Sequence, residues 1–295
     1  MKIIPQFIFI VLLSLFFSSC KEKEKELISE VTPYAYVTQV FDYQYAPGQH
    51  AHLAKTPEWL KGEFSSADIF LGGWGGYVVL GFDHDIYNTE GKNLVIYCGG
   101  SVAPEPGIIY LMDDTNGNGL PDDEWFEVKG SEINHPDCIR DYKLTYYKPK
   151  NADSNVTWKD KSGITGELPN SGKWWWKSDA DSVTFTGTRL PDAYFNSAPE
   201  GKPEYWQVYP ELFKYGYAEN GKGSGREAAS DYSEKLKGNL IDISDAIDKD
   251  GNPAQLKKIR FIKIQTGVFQ QAGWLGEVST EINGVGDLSL LGVDD

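Results

Sequence analysis

From residue 32 onward, apolar positions fall in short blocks of strand length, separated by Gly, Pro, Asn and Asp clusters. Residues 34–43 read as a strand rich in Tyr and Val, and 76–82 (GYVVLGF) as a buried strand. Blocks at 108–112 and 125–128 flank a turn-rich segment. Further blocks at 141–147, 182–186, 259–265 and 277–282 continue the series. Helical periodicity is almost absent; 57–60 and 231–236 could each hold a turn or two. Many strands at loop-sized spacing predict an all-β fold: a single large, jelly-roll-like β-sandwich over 32–295, with long loops and few short helices. No internal repeat or second linker breaks that span.

The first thirty-one residues follow another pattern. Lys2 precedes an apolar run over 3–17, interrupted by Pro5 and Gln6, then Ser18, Ser19 and Cys20. A basic start, a short apolar stretch and small residues make a signal peptide over 1–19. The run is too short to span a bilayer comfortably. The Cys after small residues resembles the lipobox of bacterial lipoproteins, in which Cys20 becomes an acylated N-terminus. Alternating Lys and Glu over 21–26 has no apolar face, so 20–31 is expected to be a solvated tether. It resembles the charged tracts that send lipoproteins of gut anaerobic Gram-negative bacteria to the outer surface. The expected location is the outer membrane, held by lipid alone.

Composition narrows the function. Forty-three acidic residues against 28 basic ones give a net charge of −15. Nucleic acid is therefore not an expected partner, since a binder needs a basic face to displace counterions from phosphates. The chain carries 9 Trp, 17 Tyr and 14 Phe, an aromatic supply suited to strands and to stacking on ligands. Cys98 and Cys138 could pair in an oxidising compartment, although Cys98 follows an apolar run and reads equally as a small buried hydrophobe.

The most informative stretch is 114–124, DTNGNGLPDDE. Asp114, Asn116, Asn118, the Leu120 carbonyl and Asp122 occupy positions 1, 3, 5, 7 and 9 of a loop, with Gly119 at position 6. That spacing wraps Ca²⁺ with alternating oxygens, and the glycine permits the sharp turn. Position 12 is Trp125 rather than a bidentate Glu, so Asp123 or Glu124 is expected to close the shell. The alternative is an ordinary Asn-Gly and Pro-Asp turn. Asp245, Asp248, Asp250, Gly251 and Asn252 form a weaker echo, better read as a solvated turn. His50 and His52, with His84 or Asp85, could hold a transition metal, but a polar loop is the plainer reading.

Catalytic patterns are thin. No Gly-x-Ser-x-Gly elbow occurs: Lys222 and Arg226 flank Ser224. The run Gly72-Gly73-Trp74-Gly75-Gly76 fails the dinucleotide fingerprint at Val78 and reads as close sheet packing. A carboxylate pair of glycosidase type could hide among so many acids. On a strand, Trp175 would face away from Trp174 and Trp176, so at least one of these rings is expected to meet solvent or a loop. Trp174, Trp175, Trp176 and Trp206 are the candidate ligand-binding residues, suited to sugar rings or a macrocycle.

Several segments together resemble surface lipoproteins of gut anaerobic bacteria, usually described only as cell surface proteins. They are VFDY at 40–43, APGQ at 46–49, LGGWGGYVV at 71–79, GFDH at 81–84 and EPGI at 105–108. They continue with NGNGLPDDEW at 116–125, FTGTRLP at 185–191, TGV at 266–268 and GWLGEVSTEI at 273–282. The resemblance implies a non-catalytic binding protein that serves an outer-membrane transporter. Cobalamin is the leading ligand and a glycan the second.

Overall fold

The computed structural model describes residues 32–50, 56–64, 68–98, 103–169, 176, 178–223 and 226–292, the Trp274 side chain excepted. The signal, Cys20 and the tether lie outside the described residues, as do His52, Trp174 and Trp175. The strands in chain order are β1 (Gln39–Gln44), β2 (Ile69–Phe70), β3 (Tyr77–Tyr87), β4 (Leu94–Tyr97), β5 (Gly107–Met112), β6 (Phe126–Val128), β7 (Ile139–Tyr147), β8 (Val156–Asp160) and β9 (Thr165–Leu168). They continue as β10 (Ser182–Arg189), β11 (Tyr194–Asn196), β12 (Trp206–Val208), β13 (Tyr232–Ser233), β14 (Gly238–Ile241), β15 (Ala246–Ile247), β16 (Lys258–Thr266), β17 (Glu281–Ile282) and β18 (Gly284–Asp287). Helix is confined to short turns, including Pro57–Leu60, and to the four-residue α1 (Leu288–Leu291). No helix among the described residues is long and apolar enough to cross a membrane.

The fold is all-β and of sandwich type. A six-stranded antiparallel sheet runs β1-β3-β16-β5-β6-β15, and a four-stranded sheet runs β13-β14-β4-β18. Between them lies the largest core. Val78, Leu80 and Phe82 of β3, Ile262 and Ile264 of β16, and Ile109 and Leu111 of β5 meet Leu94 and Ile96 of β4 and Val285 of β18. The two-residue side-chain period of these strands puts their alternate residues on the opposite face.

That opposite face is also covered. A third sheet, β10-β7-β8-β9, forms its own core from Tyr142, Leu144, Tyr146, Val156, Leu168 and Phe185, together with Trp74 and Trp176. Tyr77 of β3 packs against it, so the six-stranded sheet has partners on both faces. The glycine run makes this approach possible. Gly75 has φ +91°, and a Cβ there would lie 2.4 Å from the Cβ of Phe185. Trp74 is buried, and its Nε1 donates to the Thr188 carbonyl at 3.3 Å.

Two sequence expectations change. Only Glu281–Ile282 of the 277–282 block is strand. Residues 231–236 form no helix: Tyr232–Ser233 pair with β14, and a turn follows. Cys98 and Cys138 remain thiols, the first buried with its Sγ donating to Asn239 Oδ1 at 3.7 Å.

Candidate functional site

The ladder between β7 and β10 breaks near one end. Tyr142 faces Gly187, and the next paired residues are Ile139 and Arg189. Two residues of β7 therefore oppose one of β10, a β-bulge, and Asp141 adopts φ +54° within it. A non-glycine residue in the left-handed region costs about 1–2 kcal/mol, and such strain gathers where a fold aims side chains. The bulge sends Arg140 and Thr188 to one recess, and Ile139 and Arg189 to another.

The larger recess is a cleft of about 550 Å³. Arg189 is its fixed cation: the guanidinium carbon sits 5.3 Å from the Tyr142 ring centroid and 5.6 Å from that of Phe269. Tyr209 and Leu212 supply apolar surface, and Tyr209 is braced by Phe195 at a ring separation of 4.8 Å. Asp192 stands on the rim. Local desolvation holds its carboxyl above the usual range; Arg189 opposes that rise and Asp137 adds to it.

The smaller recess, about 230 Å³, lies between the six-stranded sheet and the bulge. Lys263 of β16 is directly opposite Tyr110 of β5, which is opposite Glu127 of β6. Burial lifts the Glu127 carboxyl above its ordinary value, against the pull of its hydrogen bond from Thr188 Oγ1 at 2.6 Å. Arg140 is held by the Asp248 and Lys249 carbonyls, both at 2.9 Å. Burial lowers the Lys263 amine to about 8.

The candidate calcium loop adjoins this recess through Glu124 and Trp125. Gly117 and Gly119 have φ +69° and +73°. Asp114 Oδ1 accepts from the Asn118 amide and Oδ2 from the Gly119 amide, both at 3.0 Å. The Asn116 and Asn118 side chains converge on Asp122: Asn116 Nδ2 is 2.9 Å from Oδ1, and Asn118 Nδ2 is 3.0 Å from Oδ2. The oxygens of these two amides face the other way and accept from the Asn118 and Leu120 backbone amides at 3.0 and 2.8 Å, so a divalent cation held by Asp114, Asn116, Asn118 and Asp122 would replace these turn bonds. The Asp123 carboxylate accepts from Thr115 and Asn116 and braces the turn. The Leu120 carbonyl accepts from the Asp122 amide at 2.9 Å. Among the described residues, no three of His, Cys, Asp and Glu gather as a metal-holding group.

Other candidates are dispersed. Trp176 is buried in the core of the third sheet. Trp206 is half-buried over Gly273, with Nε1 donating to Glu204 Oε2 at 2.8 Å. The imidazole of His50 stacks on Phe70. His84 is held between Asp83 at 2.7 Å and Asp287 at 2.9 Å, and Asp85 pairs with Lys258 at 2.7 Å. Among the described residues, His50, His84 and Asp85 form no shared metal site. Asp248 organises a polar turn, accepting from the Asp250 and Asn252 amides at 2.9 and 2.8 Å.

Sequence reasoning missed Arg189, Arg140 and Lys263. Thr186 to Arg189 belong to the FTGTRLP segment, but nothing in that motif says which residues a bulge will turn outward. No protein-family model matches the chain, and no curated protein matches it.

Proposed function

We propose that this chain is a non-catalytic binding protein, held at the cell surface by acylated Cys20, that captures a ligand for an outer-membrane transporter. The observation that carries the reading is the cleft beside the β7–β10 bulge. Its volume falls in the range of about 300–1,000 Å³ typical of small-molecule sites, and it joins apolar and aromatic surface to a few fixed charges. Arg189 is clamped by two rings and Tyr209 by a third, so the contact groups are ordered before a ligand arrives. The calcium loop, when loaded, is a staple for the neighbouring hairpin. Its oxygens are not contact groups of the cleft.

The geometry favours a sugar-sized ligand, and so a glycan, over enclosure of a whole corrinoid. A corrinoid could be gripped there only by a projecting part. The test is a titration of the purified chain with cobalamin, followed by its visible spectrum, and with surface-glycan fragments, followed by calorimetry. Saturable binding of one class, weakened at least tenfold by Tyr209→Ala, is expected. Failure of both classes to bind overturns the proposal.

A hydrolase reading has one specific observation in its favour. Asp192 lines the cleft, and local desolvation with Asp137 nearby in charge raises its carboxyl, the direction a general acid needs. Release of reducing ends that stops in Asp192→Asn would establish it.

A further inference from the structure

We propose that the smaller recess is a second ligand site, for a sugar carrying a carboxylate, in which Lys263 receives the carboxylate. The inference does not rest on what the larger cleft binds.

The floor of the recess is a polar row built by strand register: Lys263 on β16, Tyr110 on β5 and Glu127 on β6. Lys263 Nζ lies 4.7 Å from the ring centroid of Tyr77 and 4.9 Å from that of Tyr110. Among the described residues, no carboxylate comes within ion-pair distance of it. The acid that acts on it electrostatically, Asp42, accepts the Tyr77 hydroxyl at 2.6 Å. A half-buried ammonium with only ring faces for company is poorly compensated, and an arriving carboxylate removes that deficit. The lowered affinity of the amine for its proton reports the same deficit.

A second unsatisfied group lies close by. Gln265 is two residues along β16 and on the same face; its Nε2 donates to the Gly75 carbonyl at 2.7 Å, while its buried Oε1 has no hydrogen-bond partner. That oxygen lies beneath Gly187. A Cβ at Gly187 would meet it at 2.1 Å and would come within 3.3 Å of the Tyr110 hydroxyl. Glycine thus lets the recess wall pack directly on Gln265, which is buried behind it.

The rim suits a sugar. Trp125 offers an indole surface, while Glu124 and Asp141 offer acceptors for hydroxyls. Those acids also limit the anion: a single carboxylate is matched by Lys263, whereas a phosphate dianion meets Glu124 and Asp141. Arg140 is already occupied by two carbonyls and by Glu127, whose Oε2 lies 3.8 Å from its Nε, and stands as a fixed wall.

The test uses the full chain at pH 7, titrated by calorimetry with glucuronate, and with glucuronamide and glucose as neutral counterparts. Glucuronate is expected to bind at least tenfold more tightly than either. Its affinity should fall at least tenfold between pH 7 and 9.5, as Lys263 discharges among Tyr77, Tyr110, Asp42 and Glu127. Lys263→Met, which keeps the stem and removes the charge, should abolish binding without lowering the thermal midpoint of the unliganded chain. Equal affinity for glucuronate and glucuronamide, or no saturable binding of glucuronate, overturns the proposal on the unmodified protein alone. Undiminished binding by Lys263→Met overturns it as well.

Discussion

Glu281 and Lys263 make opposite contributions to the pH dependence of stability. Burial pushes the Glu281 carboxyl up to about 8, with Asp68 and Glu277 adding to the rise. Glu105 and Glu219, fully buried beside it, are also held well above the usual carboxylate range, first by desolvation. Between the ordinary value of 4.5 and about 8, native Glu281 keeps a proton that the unfolded chain releases. Stability therefore falls as pH rises through that window, by about 1.4 kcal/mol per pH unit for each proton so held. Lys263 works the other way: between about 8 and 10.5 the unfolded chain holds the proton, so stability recovers with rising pH. Glu281→Gln should flatten the decline between pH 5 and 8 in denaturant titrations. A decline as steep as in the parent chain would contradict this assignment. These residues illustrate what sequence hides. A lysine in a strand reads as solvent-facing, and only the third sheet, laid over β16 from elsewhere in the chain, buries it. The glycine run reads correctly without a structure, because four glycines around one Trp leave little other use than close backbone approach.

At the scale of elements, the hydrophobic blocks located β3, β5, β6, β7, β10 and β16 to within a few residues. Their apolar residues are contiguous or alternate cleanly. The strands that escaped, such as β8, β9 and β11 to β15, are short or carry polar residues on both faces, so periodicity has too little to act on. Residues 231–236 failed as a helix because Tyr232 and Ser233 find partners in β14, a tertiary preference stronger than local propensity. The loop over 114–124 is a turn with two glycines at positive φ, as its spacing required. The bulge at Asp141 had no counterpart in the sequence pattern, and with it went the location of both recesses. Asp114→Ala should cost about 1 kcal/mol even in chelator, because the Gly119 amide loses its acceptor and the Asn118 amide keeps only Asn116 Oδ1. Calcium should raise the thermal midpoint of the parent chain and leave that of Asp114→Ala unmoved. The same calcium-induced rise in both proteins, or no rise in either, would remove the metal from this loop.

At the scale of the molecule, a six-stranded sheet covered on both faces is a rigid support for loops. Its all-β sandwich class followed from strand-length blocks and turn clusters; the third layer did not, since no local pattern says which face of which sheet a later strand will cover. Rigidity matters to the function proposed. Contact groups held by packing, as Arg189 is by Tyr142 and Phe269, lose little freedom when a ligand enters. The measurement that bears most directly on capture without chemistry is equilibrium dialysis of the purified chain against surface glycans and corrinoids. The bound fraction is recovered by denaturation and weighed by mass spectrometry. The account predicts a saturable bound fraction returned at its original mass, and a smaller one from Tyr209→Ala. Recovered ligand of lower mass, with turnover lost in Asp192→Asn, would contradict it.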